Sequence, residues 1–484
     1  MDEQVAGVAG VVVLAAGAGT RMKSRTSKLL HQIAGRSLLS YAIRAAEHLD
    51  PEHLVVVVGH EREQIEEHLA DIAPQVTIAV QEQQNGTGDA VRSGLEQLAG
   101  VDGEIVVTYG DVPLLTGETL AELVGVHRAN GDAVTVLSTV LEEPFGYGRI
   151  VRDSDGDQVA AIVEQKDATP AQAAITEINA GIYVFDAEIL RDGLASLTTD
   201  NAQGELYLTD VVKFARGEGR DVHSHILDDR WQAEGVNDRV QLAALGQEAN
   251  RRLLEKWMRA GVTILDPAST WVHDTVDLAP DVTLLPGTSL EGATSVASGA
   301  TIGPDTTLID VEVREDASVV RTHGSLAIIG VRASVGPFAY LRPGTELSED
   351  GKIGTFVETK NAKIGPGAKV PHLTYAGDVE IGESANIGAG TIFANYDGVT
   401  KSKSVIGKAS FVGSNSVIVA PVEVADGAYV AAGSAITEPV GPGELAVARG
   451  RQRNIPGWVA KRREGTKTHQ AAAEAGDNEG TAEQ

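Results

Sequence analysis

From Val272 onward an aliphatic residue recurs at every sixth position, in Val272, Leu278, Leu284, Leu290, Val296, Ile302 and Leu308. The rhythm returns in Ile329, Val335, Leu341, Leu347 and Ile353, and again at Ile406, Val412, Ile418, Val424, Val430 and Ile436. Glycine follows many of these residues, as in Ile302-Gly303, Ile381-Gly382 and Val412-Gly413. A period of six matches neither a helix, at about 3.6, nor a free strand, at about 2. It matches a solenoid of short parallel strands, each sending one aliphatic side chain inward at the same place. The rhythm slips by one between Ile353 and Ile364 and again near Ala376–Ile381. A polar run from Ala394 to Ser404 interrupts it, although Val399 and Val405 keep the spacing, so a protruding loop is expected there but not forced.

The region 5–237 is patterned differently. Val11–Leu14, Leu54–Val58, Thr77–Val80, Ile105–Tyr109, Val134–Val140 and Ile182–Phe185 read as strands, and Leu38–His48, Arg62–Leu69 and Leu120–Ala129 as helices between them. That alternation predicts a mostly parallel sheet with helices on both faces, which binds ligands at the carboxyl ends of its strands. In Asp238–Ala260, Leu242, Leu245, Ala249 and Leu253 fall at helical spacing, which predicts a connecting helix ended by Gly261. After Trp458 large apolar residues almost vanish, and Glu474, Asp477, Glu479 and Glu483 make the end acidic, so 458–484 is expected to be disordered.

Composition narrows the chemistry. The 484 residues suffice for two or three domains, and 54 glycines with 4% aromatics suit tight parallel turns. The absence of cysteine excludes disulfides, thiolate metal sites and cysteine nucleophiles. A formal charge of −28 argues against nonspecific nucleic-acid binding. The start carries Asp2 and Glu3 without a basic cluster, and the apolar stretch Val5–Gly19 is too short and glycine-rich to span a membrane. A cytoplasmic protein with no membrane or nucleic-acid partner is the expectation.

Several segments carry candidate chemistry. Strand Val11–Leu14 runs into Ala15-Ala16-Gly17-Ala18-Gly19-Thr20-Arg21-Met22, whose small residues let backbone N–H groups approach phosphate oxygens while Arg21 adds charge. It is neither a Walker loop nor the dinucleotide glycine pattern. Thr108-Tyr109-Gly110-Asp111 puts a carboxylate just after a strand, where it suits a hard cation or a helix cap equally. In the repeats, Arg342 and Lys360 lie 18 residues apart, one full coil of three sixes, so they stack on one edge and can grip a phosphate. His372, in Pro371-His372-Leu373-Thr374-Tyr375, breaks a coil with a titratable side chain 12 residues beyond Lys360.

The string Leu14-Ala15-Ala16-Gly17-Ala18-Gly19-Thr20-Arg21-Met22, followed by Lys28, resembles the signature of the sugar-1-phosphate nucleotidylyltransferases. Joined to the six-residue repeats, it resembles the family of bifunctional N-acetylglucosamine-1-phosphate uridylyltransferases and glucosamine-1-phosphate acetyltransferases, from about Val8 to Arg449. One departure is Ser27, where that family usually has proline, which implies a less rigid turn before Lys28. The resemblance implies an α/β chain with an N-terminal Rossmann-like nucleotidyltransferase domain over 1–237, a linker helix over 238–260 and a C-terminal left-handed parallel β-helix of hexapeptide repeats over 261–457.

For the first activity it implies UTP and N-acetylglucosamine-1-phosphate as substrates, with Arg21 and Lys28 catalytic. Leu14, Ala15, Ala16, Gly17, Lys28, Gln81, Gly86, Thr87, Tyr109, Gly110 and Asp111 would line the nucleotide side, and Gly148, Glu164 and Asn179 the sugar wall. Asp111 and Asn237 would ligate Mg²⁺, since two oxygen ligands with waters and substrate phosphates suit that ion. For the second activity, glucosamine-1-phosphate would be held by Arg342, Lys360, Tyr375 and Asn386, with His372 as general base, a task imidazole suits at neutral pH. Acetyl-CoA would bind at Ala389, Asn395, Tyr396, Ser414, Ala432 and Arg449, with Lys401 reaching the same region. A homotrimer with sites between subunits is also implied. Two other readings stay open on the residues alone: a nucleotidyltransferase whose coil serves only assembly or regulation, and a noncatalytic trimeric scaffold binding sugar nucleotides.

Overall fold

The computed structural model describes residues 7–59 and 62–481. Residues 1–6 and 482–484, on which part of the expectations for the two termini falls, lie outside it. The chain divides into two compact units, 1–325 and 326–484. This division falls within the repeat region rather than at its start. In a solenoid each coil packs only on its neighbours, so the repeat itself marks no internal boundary.

In the first unit a central sheet is built from β1 (Gly10–Ala15), β2 (Leu54–Val58), β3 (Thr77–Val80), β4 (Glu104–Tyr109), β5 (Val134–Val140), β6 (Glu177–Asp186) and β7 (Val222–Ile226). Its order is β7-β5-β6-β4-β1-β2-β3. All neighbours are parallel except β6, which runs antiparallel to both β4 and β5. Alternate residues of β1 go to opposite faces, as the period of two requires. Val11 and Val13 join Leu39, Ile43 and Leu120 on one side, whereas Val12 joins Val91, Leu190 and Val211 on the other. The sheet is buried on both faces, so its strands are continuous aliphatic runs rather than alternating ones.

Helix Arg239–Arg259 follows, capped by the Asp238 carboxylate, which accepts from Val240 N and Gln241 N at 2.9 Å each. It buries Leu245, Ala249 and Leu254. Helical spacing places Leu253 on the inner face, but its neighbour Leu254 is the residue turned inward. Buried Asn250 fastens the helix to the first coil, donating to Thr270 O (2.7 Å) and accepting from Val272 N (3.1 Å).

The coils are a left-handed parallel β-helix of hexapeptide repeats. Strands recur with 17- or 18-residue spacing on three faces, as in Thr283↔Thr301 and Thr301↔Ser318 of the first unit and Ser334↔Lys352 and Lys352↔Lys369 of the second. The hexad aliphatics Leu284, Ile302, Leu341, Ile353, Val412 and Ile418 are fully buried. The slips at Ile353 and Ile364 are 17-residue turns, Ile353↔Val370 and Ile364↔Ile381. The interruption after Ala394 is a true insertion, because Ile392 pairs with Val417, 25 residues on. Beyond Trp458, where composition led to an expectation of disorder, helices Trp458–Arg462 and Lys467–Thr481 are present. The Ala471–Ala473 run favours helix without needing a core, and neither helix has a buried residue among those described.

Candidate functional site

In the first unit the carboxyl ends of β1 and β4 open into a groove. Gly110 N–H donates to Leu14 O at 2.9 Å and aligns the two strand ends. One compartment, about 300 Å³, is lined by Leu14–Gly17, Lys28, Gln81, Gly86, Thr87, Tyr109 and Asp111. A second, about 450 Å³, carries Arg21, Gly148, Glu164, Asn179 and Asn237. They share Thr87, Tyr109, Asp111 and Glu205, so the two are continuous. The sequence-predicted residues of the first activity line these two compartments, except Gly110, which lies at the strand ends beside them.

Charge is concentrated at the junction. Lys28 Nζ pairs with the Asp111 carboxylate, and Arg21 Nη2 donates to Asn237 Oδ1 at 2.8 Å. Val236 N–H donates to Asp111 O at 2.9 Å, which brings the Glu234–Asn237 segment onto the end of β4 from 125 positions further along the chain. Ser27 precedes Lys28 with φ −51°, ψ 141°, values proline would also adopt. Its N–H donates to Gln64 Oε1 at 3.2 Å, a bond proline cannot make. The less rigid turn implied by this departure is thus tied down by a side chain from another helix.

Other groups are set by their second contacts. Buried Gln81 donates to Gly86 O (3.2 Å) and to Asp89 (3.0 Å), which fixes its amide. Asn179 donates to the Tyr183 hydroxyl at 2.6 Å and accepts from Gly181 N at 2.9 Å. Burial pushes the Glu164 carboxyl above its ordinary range, and the Thr209 hydroxyl at 3.4 Å pulls the other way. Burial likewise raises the Tyr109 hydroxyl, helped by the Asp111 and Glu164 charges. Sequence reasoning missed Tyr183, Glu205, Tyr207 and Thr209, all of which face the groove. The last three sit on a segment pinned by Gly88 N→Leu206 O (2.8 Å) and Leu206 N→Asn85 O (2.7 Å), contacts with no local sequence signal.

No group of three or more His, Cys, Asp or Glu side chains is arranged for a metal among the described residues. Asp111 and Asn237 alone offer one carboxylate and one amide oxygen. That set does not make a closed structural site. It fits a hard, partly hydrated cation that shares substrate phosphates.

The second unit gathers the other candidates. Tyr340 pairs with Glu358 and Leu341 with Thr359, so Arg342 and Lys360 stand one coil apart on the same edge, as their spacing predicts. Arg342 Nη1 donates to Glu358 Oε1 at 2.8 Å, and this bond holds its guanidinium charged. Lys401, reaching back from the inserted loop, depresses the Lys360 ammonium, with Arg342 adding to the effect. Tyr375 lies over Gly377, where a Cβ would meet its hydroxyl at 2.4 Å. Asn395, 7% exposed, donates to the Tyr375 hydroxyl at 3.4 Å and to Asp378. It therefore sits against the residues expected to hold the sugar phosphate. A cleft of about 370 Å³ beside them is lined by Asn361, Lys363, Asp378 and Lys401. Tyr396 is exposed in the loop, with its hydroxyl donating to Gly398 O at 2.6 Å.

His372 is exposed on the next edge, in register with Thr355. Gly390 N–H donates to its carbonyl at 3.2 Å. Lys369 pairs with Asn386, Asn386 with Phe411 and Phe411 with Tyr429. Counted three residues on, the same register stacks His372, Ala389, Ser414 and Ala432 in one column, and Asn386 lies on the coil next to His372. Arg449 is exposed just after the last strand, Leu445–Ala446.

A phosphate-accepting groove at parallel strand ends, carried on a chain that continues into hexapeptide coils, defines a sugar-nucleotide-type nucleotidyltransferase joined to a repeat-built second transferase module. Residues 11–179 match the MobA-like NTP transferase domain. The bifunctional protein GlmU of Corynebacterium jeikeium is 57% identical over 96% of this chain and 95% of that protein. Those of Corynebacterium efficiens (56%, covering 96% of each) and Paenarthrobacter aurescens (55%, covering 100% of this chain and 98% of that protein) are similar to the same extent. The chain belongs to the bifunctional GlmU family. Membership implies a divalent metal. Among the described residues no helix is long and apolar enough to cross a membrane.

Proposed function

We propose that this chain makes UDP-N-acetylglucosamine for cell-wall precursors in two steps. It acetylates glucosamine-1-phosphate from acetyl-CoA, then transfers UMP from UTP to N-acetylglucosamine-1-phosphate and releases pyrophosphate. The observation that carries the reading is the convergence of Arg21, Lys28, Asp111 and Asn237 where the two compartments meet.

In the uridylyl step an oxygen of the sugar phosphate attacks the α-phosphorus of UTP, and the bond to pyrophosphate breaks. No protein nucleophile is needed, so positioning and charge are the protein's main contributions. Gln81 and Gly86 present amide and backbone groups to the base edge, and the Ala15–Gly17 loop admits the phosphates. Gly148, Glu164 and Asn179 hold the sugar. Mg²⁺ held by Asp111 and Asn237 would supply charge neutralisation at the phosphates. Lys28 and Arg21, paired with those same two side chains, are then available to the phosphate oxygens.

In the acetyl step the sugar amine attacks the thioester carbonyl, His372 accepts the amine proton, and the carbon–sulfur bond breaks to release CoA. Arg342, Lys360, Tyr375 and Asn386 hold the sugar phosphate. The mutual repulsion of Lys360 and Lys401 favours an anion between them. Ala389, Ser414 and Ala432 offer small side chains along one column beside His372, which suits an extended acyl carrier, and Asn395, Tyr396 and Arg449 complete that side. The domains are a uridylyltransferase over 1–237, a linker helix over 238–260 and an acetyltransferase over 261–457.

We assign a homotrimer in the cytoplasm. Phe338 and Phe356 stack with ring centroids 5.4 Å apart on successive coils, and Leu373 continues the ridge at 60% exposure next to His372. Such an apolar ridge supports association of coils with sites at the contact. His372→Ala should abolish CoA release while sparing pyrophosphate release, and Asp111→Ala should do the reverse. Loss of both activities in either well-folded variant refutes this separation of sites.

A further inference from the structure

Among the described residues Arg149 is the bulkiest fully buried side chain, at 1% exposure. Its guanidinium is met by carbonyl oxygens instead of a carboxylate. Nη1 donates to Tyr147 O, while Nη2 donates to Gln165 Oε1 at 2.7 Å and to Ala173 O at 3.5 Å. Its Nε has no hydrogen-bond partner. Burying a cation this way is costly, and an apolar side chain of similar size would fill the space more cheaply. The charge therefore calls for another account.

What Arg149 holds supplies one. The Phe145–Gly148 lip forms one wall of the larger compartment, which Arg149 itself does not line. Phe145 is 84% exposed, and Gly146 has φ +96° with no atom within 4 Å of a Cβ built on it, so little packs on the outer half of the lip. From beneath, Arg149 takes the Tyr147 carbonyl, and Gln165 Oε1 also accepts from Gly146 N at 3.1 Å. Both lone pairs of that oxygen are thus used, one by the lip and one by the guanidinium. Gln165 directly follows Glu164, and Asn179 N donates to Gly148 O at 2.9 Å. The clamp therefore sits behind all three residues of the sugar wall.

We infer that Arg149 is a positioning residue for the sugar half of the groove. Through the Tyr147 carbonyl and Gln165 it fixes the lip that presents Gly148 beside Glu164 and Asn179, and so sets affinity for the hexosamine 1-phosphate without touching it. This rests on the uridylyl transfer proposed above.

The test uses initial rates of pyrophosphate release with each substrate varied in turn. Gln165→Ala should raise KM for N-acetylglucosamine-1-phosphate about tenfold, the order expected for losing a charge-assisted bond, with kcat and KM for UTP each changed less than about threefold. Gln165→Glu, which keeps an acceptor for both donors, should recover most of the wild-type KM. Arg149→Met should match Gln165→Ala, with CoA release as its control for folding. If it does not fold, the two Gln165 variants decide. An unchanged sugar KM in Gln165→Ala overturns the inference, as does a parallel rise in both KM values or a failure of Gln165→Glu to recover. A wild-type protein that releases no pyrophosphate with this sugar phosphate overturns the functional reading instead.

Discussion

Gly354 lies on the coil directly beneath Pro371-His372, and replacing it with alanine would move the proposed base. Ile353 pairs with Val370 and Thr355 with His372, so Gly354 faces Pro371. A Cβ there would stand 2.0 Å from Pro371 O and 2.7 Å from Pro371 C. Both are backbone atoms, so no side-chain rotation relieves the clash. Restoring even a tight 3.0 Å contact requires about 1 Å of movement in the segment that carries His372, and displacement on that scale can cost about 100-fold in rate. Gly354→Ala is therefore expected to lower CoA release from acetyl-CoA and glucosamine-1-phosphate by about two orders of magnitude. Pyrophosphate release, carried by residues of the other unit, should stay within about twofold, because the clash is local. Circular dichroism and size-exclusion elution of the variant would establish that it folds and assembles. A well-folded Gly354→Ala protein with CoA release within about threefold of wild type would refute the link between this backbone contact and the base.

Three further outcomes are expected. Leu341→Ala empties a fully buried hexad position and should cost about 2–5 kcal/mol by chemical denaturation, whereas truncating exposed Val399 should cost less than about 0.5 kcal/mol. Hydrogen bonds from Arg251 and Arg252 hold the Glu248 carboxyl at about 2 against an ordinary 4.5, so its contribution is complete above pH 4.5 and is lost as pH falls toward 2. Thermal melts between pH 6 and pH 3 should thus fall less steeply for Glu248→Gln than for wild type, and equal slopes would contradict the pairing. Removing divalent metal with EDTA should stop pyrophosphate release and leave CoA release intact, with Mg²⁺ restoring the former.

The six-residue period was readable because every coil points one aliphatic side chain into the same interior, and Leu284, Leu341 and Val412 are buried accordingly. The inserted loop was not forced by pattern, since Val399 and Val405 keep the spacing by coincidence. Val399 is 87% exposed, and it takes the 25-residue pairings Ile381↔Ile406, Asn386↔Phe411 and Ile392↔Val417 to show that the coil skips this stretch. On the sheet, six of the seven strands and the helices Leu38–Glu47, Arg62–Ile72 and Gly117–Asn130 were legible from periodicity, whereas strand Val222–Ile226 and the helices Thr87–Glu96, Ala187–Ser196 and Asp210–Gly217 were not. The antiparallel insertion of β6 was not legible either, because a strand buried on both faces reads the same in either direction. Arg21, Lys28 and Asp111 carry local motifs. Their meeting with Asn237 depends on Val236 reaching the end of β4, a contact without local signal. Glu205–Thr209 escaped for the same reason, and Gln64 behind Ser27 could be found only in three dimensions.

The central claim is that one chain performs both steps. The most direct measurement supplies purified protein with glucosamine-1-phosphate, acetyl-CoA, UTP and Mg²⁺, and follows the products by mass spectrometry. The account predicts UDP-N-acetylglucosamine together with free CoA and pyrophosphate. UDP-glucosamine without CoA release, or acetylated sugar phosphate that is never uridylylated, would contradict it.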